Sequence, residues 1–525
     1  MANNTKDWRI AMASLGIDFG TTNSVMVSYD KKRNSFDYFC FKDLDNPSPI
    51  SSTVWYHDDK ITVGKIARDN LHKFVDVAGN HFEKSIKLKL GTDEIRKIFG
   101  KKVLPYEIAS DIIEHLKSVA VNEYDADKVV DDMRRAVFTI PIKFSGSARK
   151  DLRKAANDAG IEVTTFIHEP FAAIVGYYFT KEERDLDSIL LDLIELDGKH
   201  VLTFDWGGGT LDITVVKIDG GKMQEIGTAE LTGKAGDKFD EEIANLVWDR
   251  YLNKIPKGKY TESYLDAQKK RKWGKLLAIA EQSKIALSVE DSTVIWIEDI
   301  IDDEDELYEE VTREDFSKLI GNIIDEACAK IDSALRIAGI SDGTISRVLL
   351  TGGSSCIPAV QDRLRERFGH KVETIKNADM VIAQGAAVIS EMKWLPFLTK
   401  DIQVELCDDS YYALFEGGEP IAADGDKIKE QTFTCVDQKN ECAKLIICEG
   451  VRQEKNKVLA IINVPVRKDP RFGDEIQVNA RMDNNIILHV SAYSLMANDK
   501  SSNRNNAIRK TAEISEMCFG LEIRE

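Results

Sequence analysis

Two stretches far apart in the chain share one grammar: Leu15-Gly-Ile-Asp18-Phe-Gly20-Thr21-Thr22-Asn23-Ser-Val and Leu202-Thr-Phe-Asp205-Trp-Gly207-Gly208-Gly209-Thr210-Leu-Asp212-Ile. Each reads as a short strand closed by an aspartate, a turn of small and hydroxylated residues, and a second strand rich in Val and Ile. A third strand, 347–351, runs into Gly352-Gly353-Ser354-Ser355, and Pro358 follows as a first-turn proline. Amphipathic helix patterns lie between and after these turns, at 108–124, 145–159, 237–255, 261–287, 313–338 and 379–392. Ser145 caps one start and Gly160 its end, while Thr312 with Asp315 forms a capping box closed by Gly339. The layout is α/β, with a supersecondary unit used twice.

The rhythm changes at Trp394-Leu395-Pro396-Phe397-Leu398, beyond which the apolar period is two. Residues 430–449, around a turn at 437–440, and 476–493, around 483–485, read as antiparallel hairpins of a small β-sandwich. The expected division is an extension at 1–13, an α/β domain at 14–393, a linker at 394–402 and a β-sandwich at 403–525. A chain of 525 residues needs more than one core in any case. The acidic stretch 181–197 reads as a surface insertion and 498–506 as a mobile loop.

Composition narrows the function. A net charge of -18 opposes nucleic acid and anionic membrane. No apolar run reaches the roughly 18 residues of a membrane span, and the first residues lack a signal core, so a cytoplasmic location is expected. The eight cysteines contain no Cys-x-x-Cys pair and the eight histidines are scattered, which suits reduced, buried thiols rather than a zinc site.

Glycine in a turn after a strand lets backbone N–H groups approach an anion, and Thr or Ser hydroxyls add donors, so phosphate is the natural ligand. Asp18 and Asp205 would repel phosphate unless a hydrated divalent cation stood between them. Glu281, Lys284 and Ser288 share a helix face, which alone reads as solvated surface.

With these features in hand the sequence resembles the seventy-kilodalton heat-shock chaperones, the DnaK-type family, over about 15–494. The two hairpins are similar to the family's phosphate motifs and Val348-Leu-Leu-Thr-Gly-Gly-Ser-Ser355 to its adenosine motif. Ile140-Pro-Ile-Lys-Phe144 with Ile167-His-Glu-Pro-Phe-Ala-Ala173, and Asn377-Ala-Asp-Met-Val-Ile-Ala-Gln-Gly-Ala-Ala387, resemble its connecting segments. The resemblance implies an actin-like ATPase of two lobes followed by a peptide-binding β-sandwich, with ATP or ADP, Mg2+ and K+ as ligands.

It also implies roles, position by position. Asp18, Asp205 and Asp212 would hold the cations, and Gly20, Thr21, Thr22, Asn23, Gly207, Gly208 and Gly209 the phosphates. Lys87, Glu169, Asp205 and Thr210 would serve hydrolysis, although composition alone does not separate Lys87 from Lys89. Gly236, Glu281, Lys284, Ser288, Gly352, Gly353, Ser354 and Asp379 would enclose the nucleoside. Pro141 and Arg149 would relay the nucleotide state between domains, their plain reading being a strand end and a solvated charge. Phe433, Val436, Ala443 and Leu445 align with the apolar peptide groove, where core packing would select the same residue types. The implied partners are unfolded polypeptide, a J-domain co-chaperone and a nucleotide exchange factor.

Departures from the pattern are equally specific. Cys356 stands where a base-stacking arginine is usual, and Ala235-Gly236-Asp237-Lys238 lacks one glycine. The linker is broken by Pro396, so its edge pairing is expected to be poor, and no helical lid follows the β-rich part, so fast peptide release is expected. A client-specific assembly factor and an actin-fold small-molecule kinase stay open as alternative readings.

Overall fold

The computed structural model describes residues 14–523 except 40, 44–45, 76, 124–132, 182–185, 302–304, 376, 422–426, 437–441, 452–455, 467–472 and 496–507. The expected extension at 1–13, the turn at 437–440 and the loop at 498–506 lie outside them.

Both glycine motifs are hairpins. Ser14–Phe19 pairs antiparallel with Asn23–Asp30, placing Asp18 opposite Val25, and His200–Trp206 pairs with Thr210–Asp219, placing Asp205 opposite Asp212. Each first strand also pairs in parallel with a later one, Ser14–Phe19 with Arg135–Ile140 and His200–Trp206 with Ile345–Thr351. The repeated grammar therefore builds two mixed sheets of the same plan, and the molecule is a mixed α/β protein of several sheets.

Helices Glu169–Thr180 and Val381–Met392 are almost wholly buried and cross between the two sheets. Their approach depends on missing side chains: a Cβ on Gly385 would stand 1.8 Å from the Ala172 carbonyl oxygen, and one on Gly176 2.0 Å from that of Val381. The helix boundaries follow from their caps. Ser145 Oγ accepts from Ala148 N at the start of Gly146–Asp158, and the box of Thr312 and Asp315 opens Arg313–Ala338, which Gly339 ends at φ 68°. No helix among the described residues is long and apolar enough to cross a membrane.

The first lobe is the part built on the sheet of Ser14–Phe19, and the second the part built on the sheet of His200–Trp206. Beyond residue 400 stand two four-stranded antiparallel sheets, whose buried side chains join one apolar cluster with those of the first lobe. Here four expectations change. Lys427–Cys435 and Cys442–Gly450 are not a hairpin; they lie in different sheets, pairing with Asp474–Met482 and Lys457–Pro465. Alternation fixes which face is apolar but not which strand lies alongside. By contrast Asp474–Met482 and Leu488–Ser494 form the expected hairpin. The linker does pair, as strand Leu395–Leu398, and its partner is Phe519–Glu522, which leaves the C-terminal sheets and joins the second lobe's sheet beside Lys222–Thr232. Within 181–197 a helix, Leu186–Glu195, buries Ile189 and Leu193. The thiols are not uniformly buried either, since Cys356, Cys407 and Cys518 are exposed.

Candidate functional site

Three glycine turns converge on one cavity of about 490 Å³ between the lobes. The first turn is anchored from below, Ser52 N donating to Thr22 O (2.8 Å) and Ser52 Oγ to Gly20 O (3.0 Å). The second is clipped by Asp237 N to Gly208 O (2.8 Å) and by Ser354 Oγ to Gly207 O (2.8 Å), the latter reaching across from the third. Glycine keeps the turns in close approach where they meet, and at Gly352 the backbone itself requires it. A Cβ on Gly208 would lie 2.1 Å from Thr22 Oγ1, and one on Gly352, at φ 76°, 2.6 Å from Asp205 Oδ1.

Gly20, Thr21, Thr22, Asn23, Gly207, Gly208, Gly209 and Thr210 line the cavity, as do Lys87, Glu169, Asp18, Asp205 and Asp212. Lys87 sits on the short 3-10 helix Ile86–Lys89 and ion-pairs with Glu169, which begins Glu169–Thr180, at 2.7 Å; both side chains are under a tenth exposed. Lys89, the rival from composition, points out to solvent. Thr139 Oγ1 donates to Asp18 (2.9 Å) and Thr210 Oγ1 to Asp212 (3.1 Å).

Lys87 thus shares the cavity with four carboxylates, Asp18, Glu169, Asp205 and Asp212. Burial, with the neighbouring Glu169, Asp212 and Asp18, holds Asp205 well above the usual carboxylate range, and burial also raises Asp212. Burial pushes Glu169 up to about 7 against the pull of Lys87. Burial works against the Lys87 charge, but Glu169, Asp18 and Asp205 outweigh it and raise that group. Such an excess of buried negative charge is what a divalent cation relieves, and oxygen-only donors suit magnesium. Among the described residues no three acidic, His or Cys groups converge to ligate an ion directly.

A second group of residues lines the same cavity. Glu281, Lys284 and Ser288 line it with Gly352, Gly353, Ser354 and Asp379, whose carboxyl burial raises. Lys284 pairs with Asp240 at 2.8 Å and donates to Gly236 O at 3.0 Å, so Gly236 stands just behind the wall. Ile285 and Ile357 supply apolar wall that the sequence reading left out; Ile285 directly follows Lys284 on the same helix. Cys356 ends the turn Gly353–Cys356 with its side chain exposed.

Pro141 lines the cavity, while Arg149 lies away from it. Arg149 is not a solvated charge. It is 2% exposed and donates to four carbonyls, Phe144 (2.7 Å), Asn485 (2.7 Å), Ile486 (3.2 Å) and Ser515 (3.0 Å). Phe144 N in turn donates to Pro141 O at 3.0 Å, so a chain of hydrogen bonds runs from the cavity wall to the C-terminal sheets. The four apolar residues of the aligned groove are divided: Leu445 is core, Val436 is exposed, and Phe433 and Ala443 are half-buried on different sheets. The Phe433 ring meets Tyr412 edge-on, centroids 5.4 Å apart.

A family model described as Hsp70 protein matches residues 14–519. The chaperone protein DnaK of Mycoplasma mobile is 30% identical over 508 residues, covering 93% of this chain and 77% of that protein. The chaperone protein DnaK of Mycoplasmopsis pulmonis is 29% identical over 499 residues, covering 92% and 77% respectively. With two glycine clamps, a third glycine turn and a buried Lys–Glu pair around one cleft, the chain belongs to the Hsp70 family of DnaK-type chaperones.

Proposed function

We propose that this chain hydrolyses ATP in the cleft and uses the nucleotide state to control capture of extended, apolar peptide segments. In this reading residues 14–393 form an actin-like ATPase of two lobes, 394–402 a linker, and the sheets from 403 onward a peptide-binding β-sandwich. The buried Lys87–Glu169 pair at the meeting of the glycine turns carries the proposal.

Hydrolysis needs positioned charge rather than a nucleophilic side chain. Water oxygen bonds to the γ-phosphorus, the bond to the bridging oxygen of the β-phosphate breaks, and the water's protons pass to phosphate and solvent. Backbone N–H groups of the two clamps hold the phosphates. Lys87 orients a γ-oxygen and the attacking water, Glu169 fixes the ammonium, and the Thr210 hydroxyl lies beside the γ-phosphate. Asp18, Asp205 and Asp212 would hold Mg2+ and K+, and magnesium there would neutralise phosphate charge. Glu281, Lys284 and Ser288 take the ribose and base, with Ile285 and Ile357 as apolar support.

Pro141, Phe144 and Arg149 supply the relay toward the C-terminal sheets. Phe433, Val436 and Ala443 offer apolar surface for peptide, while Leu445 supports them from the core. Partners of this chemistry are unfolded polypeptide, a J-domain co-chaperone and an exchange factor in the cytoplasm, not nucleic acid or membrane. ATP turnover decides the enzymatic part. Lys87→Ala and Thr210→Ala should each lower kcat about 100-fold, equivalent to about 3 kcal/mol, with MgATP binding kept within tenfold. A wild-type protein that releases no phosphate would remove the claim.

A further inference from the structure

The segment 515–523 touches every part of the molecule. Ser515 O accepts from Arg149 of the first lobe, and Cys518 N donates to Glu449 of the C-terminal sheets at 2.6 Å. Phe519–Glu522 then enters the second lobe's sheet between two strands. On one side Met223 opposes Leu521 and Lys222 opposes Glu522, extended by Ile523 N to Gly221 O at 2.8 Å. On the other side all four residues pair with the linker strand Leu395–Leu398.

The seat is shaped for this strand. Leu521 is fully buried and Phe519 is 2% exposed. A Cβ on Gly520 would stand 2.3 Å from Met223 O, so only glycine lets the backbones close. The Phe519 ring lies 3.8 Å from that of His168, the residue before Glu169. Pro396 has no N–H, which makes the linker a poor direct partner for the Lys222–Thr232 edge, whereas Phe519–Glu522 can donate throughout.

We propose that residues 515–523 are an intrachain clasp: an extended ligand of the Lys222–Thr232 edge whose seating fastens the linker and C-terminal sheets to the nucleotide lobes, and whose release frees them. It is β-augmentation performed by the chain on itself. The device goes beyond nucleotide hydrolysis and peptide capture, and its test needs neither.

Trypsin cleavage at Lys393 and Lys400, which flank the linker, reads the release when re-closing is fast. In Gly520→Val, with circular dichroism unchanged, cleavage there should rise at least tenfold. A second variant covers the case in which Gly520→Val does not fold. The Ile523–Gly221 bond makes Lys222 and Glu522 a non-hydrogen-bonded pair, with Cα atoms about 4.5 Å apart, within disulfide range. Lys222→Cys with Glu522→Cys, in a Cys518→Ser background, should oxidise readily and be cleaved at least tenfold more slowly than when reduced. A folded Gly520→Val cut at the wild-type rate, a cysteine pair that does not bridge, or a bridge that leaves cleavage unchanged would each overturn the clasp.

Discussion

At the scale of single residues, burial decides what spacing could not. Lys87 and Lys89 are equivalent in composition; one is buried against Glu169 and the other faces water. For Arg149 the sequence left a relay role and a solvated charge open, and nothing local separates them because its four acceptors include carbonyls more than 300 residues away. Burial lowers its guanidinium to about 10, offset in part by Asp483, so it stays charged at neutral pH. Asp240 carries a pH prediction. Burial lifts its carboxyl to about 7 although Lys284 opposes this. A raised carboxyl binds its proton more tightly folded than unfolded, so its stabilising contribution is present at low pH and lost as pH rises through about 7. Between pH 8 and pH 6 the protein should gain about 1 kcal/mol from this group, and urea titrations of Asp240→Asn should lack that increment. Equal slopes in both proteins would remove the assignment.

Secondary-structure elements were the most legible scale where a local signal fixed them. The glycine hairpins and the capped helix Arg313–Ala338 stand where the pattern put them, because caps and turn residues act on their immediate neighbours. Strand partnership was not legible. Lys427–Cys435 and Cys442–Gly450 alternate correctly yet belong to different sheets, and nothing in Phe519–Glu522 announces pairing with strands near residues 223 and 396. Close helix crossing is another non-local choice. Gly176 and Gly385 both sit inside helices, and Gly385 admits the Ala172 carbonyl. Gly385→Ala should therefore cost about 3 kcal/mol despite its better helix propensity, measurable as a lower urea midpoint. A neutral or stabilising effect would show that the crossing can open without strain.

At the scale of the whole molecule, hydrogen bonds join the wall of the cleft to the C-terminal sheets. The turn beyond Met482 receives Arg149 and also Arg153, whose guanidinium donates to Asn485 Oδ1 at 2.7 Å and Asn484 O at 2.6 Å. Arg149→Ala leaves several buried carbonyls without a donor, at roughly 1–3 kcal/mol per lost partner. It should separate the melting of the C-terminal sheets from that of the lobes, giving two calorimetric transitions. A single unchanged transition would show that the relay is not what joins them.

The proposed function rests on the two hairpins gripping one polyphosphate, and calorimetric titration of MgATP into nucleotide-free protein addresses that directly. Wild type should bind one equivalent with a micromolar or lower Kd, about -8 kcal/mol or better. Gly208→Val, which drives a side chain into Thr22 at the junction of the clamps, should bind at least 100-fold more weakly while melting within a few degrees of wild type. No heat from the wild type at millimolar MgATP, or undiminished binding by a folded Gly208→Val, would contradict it.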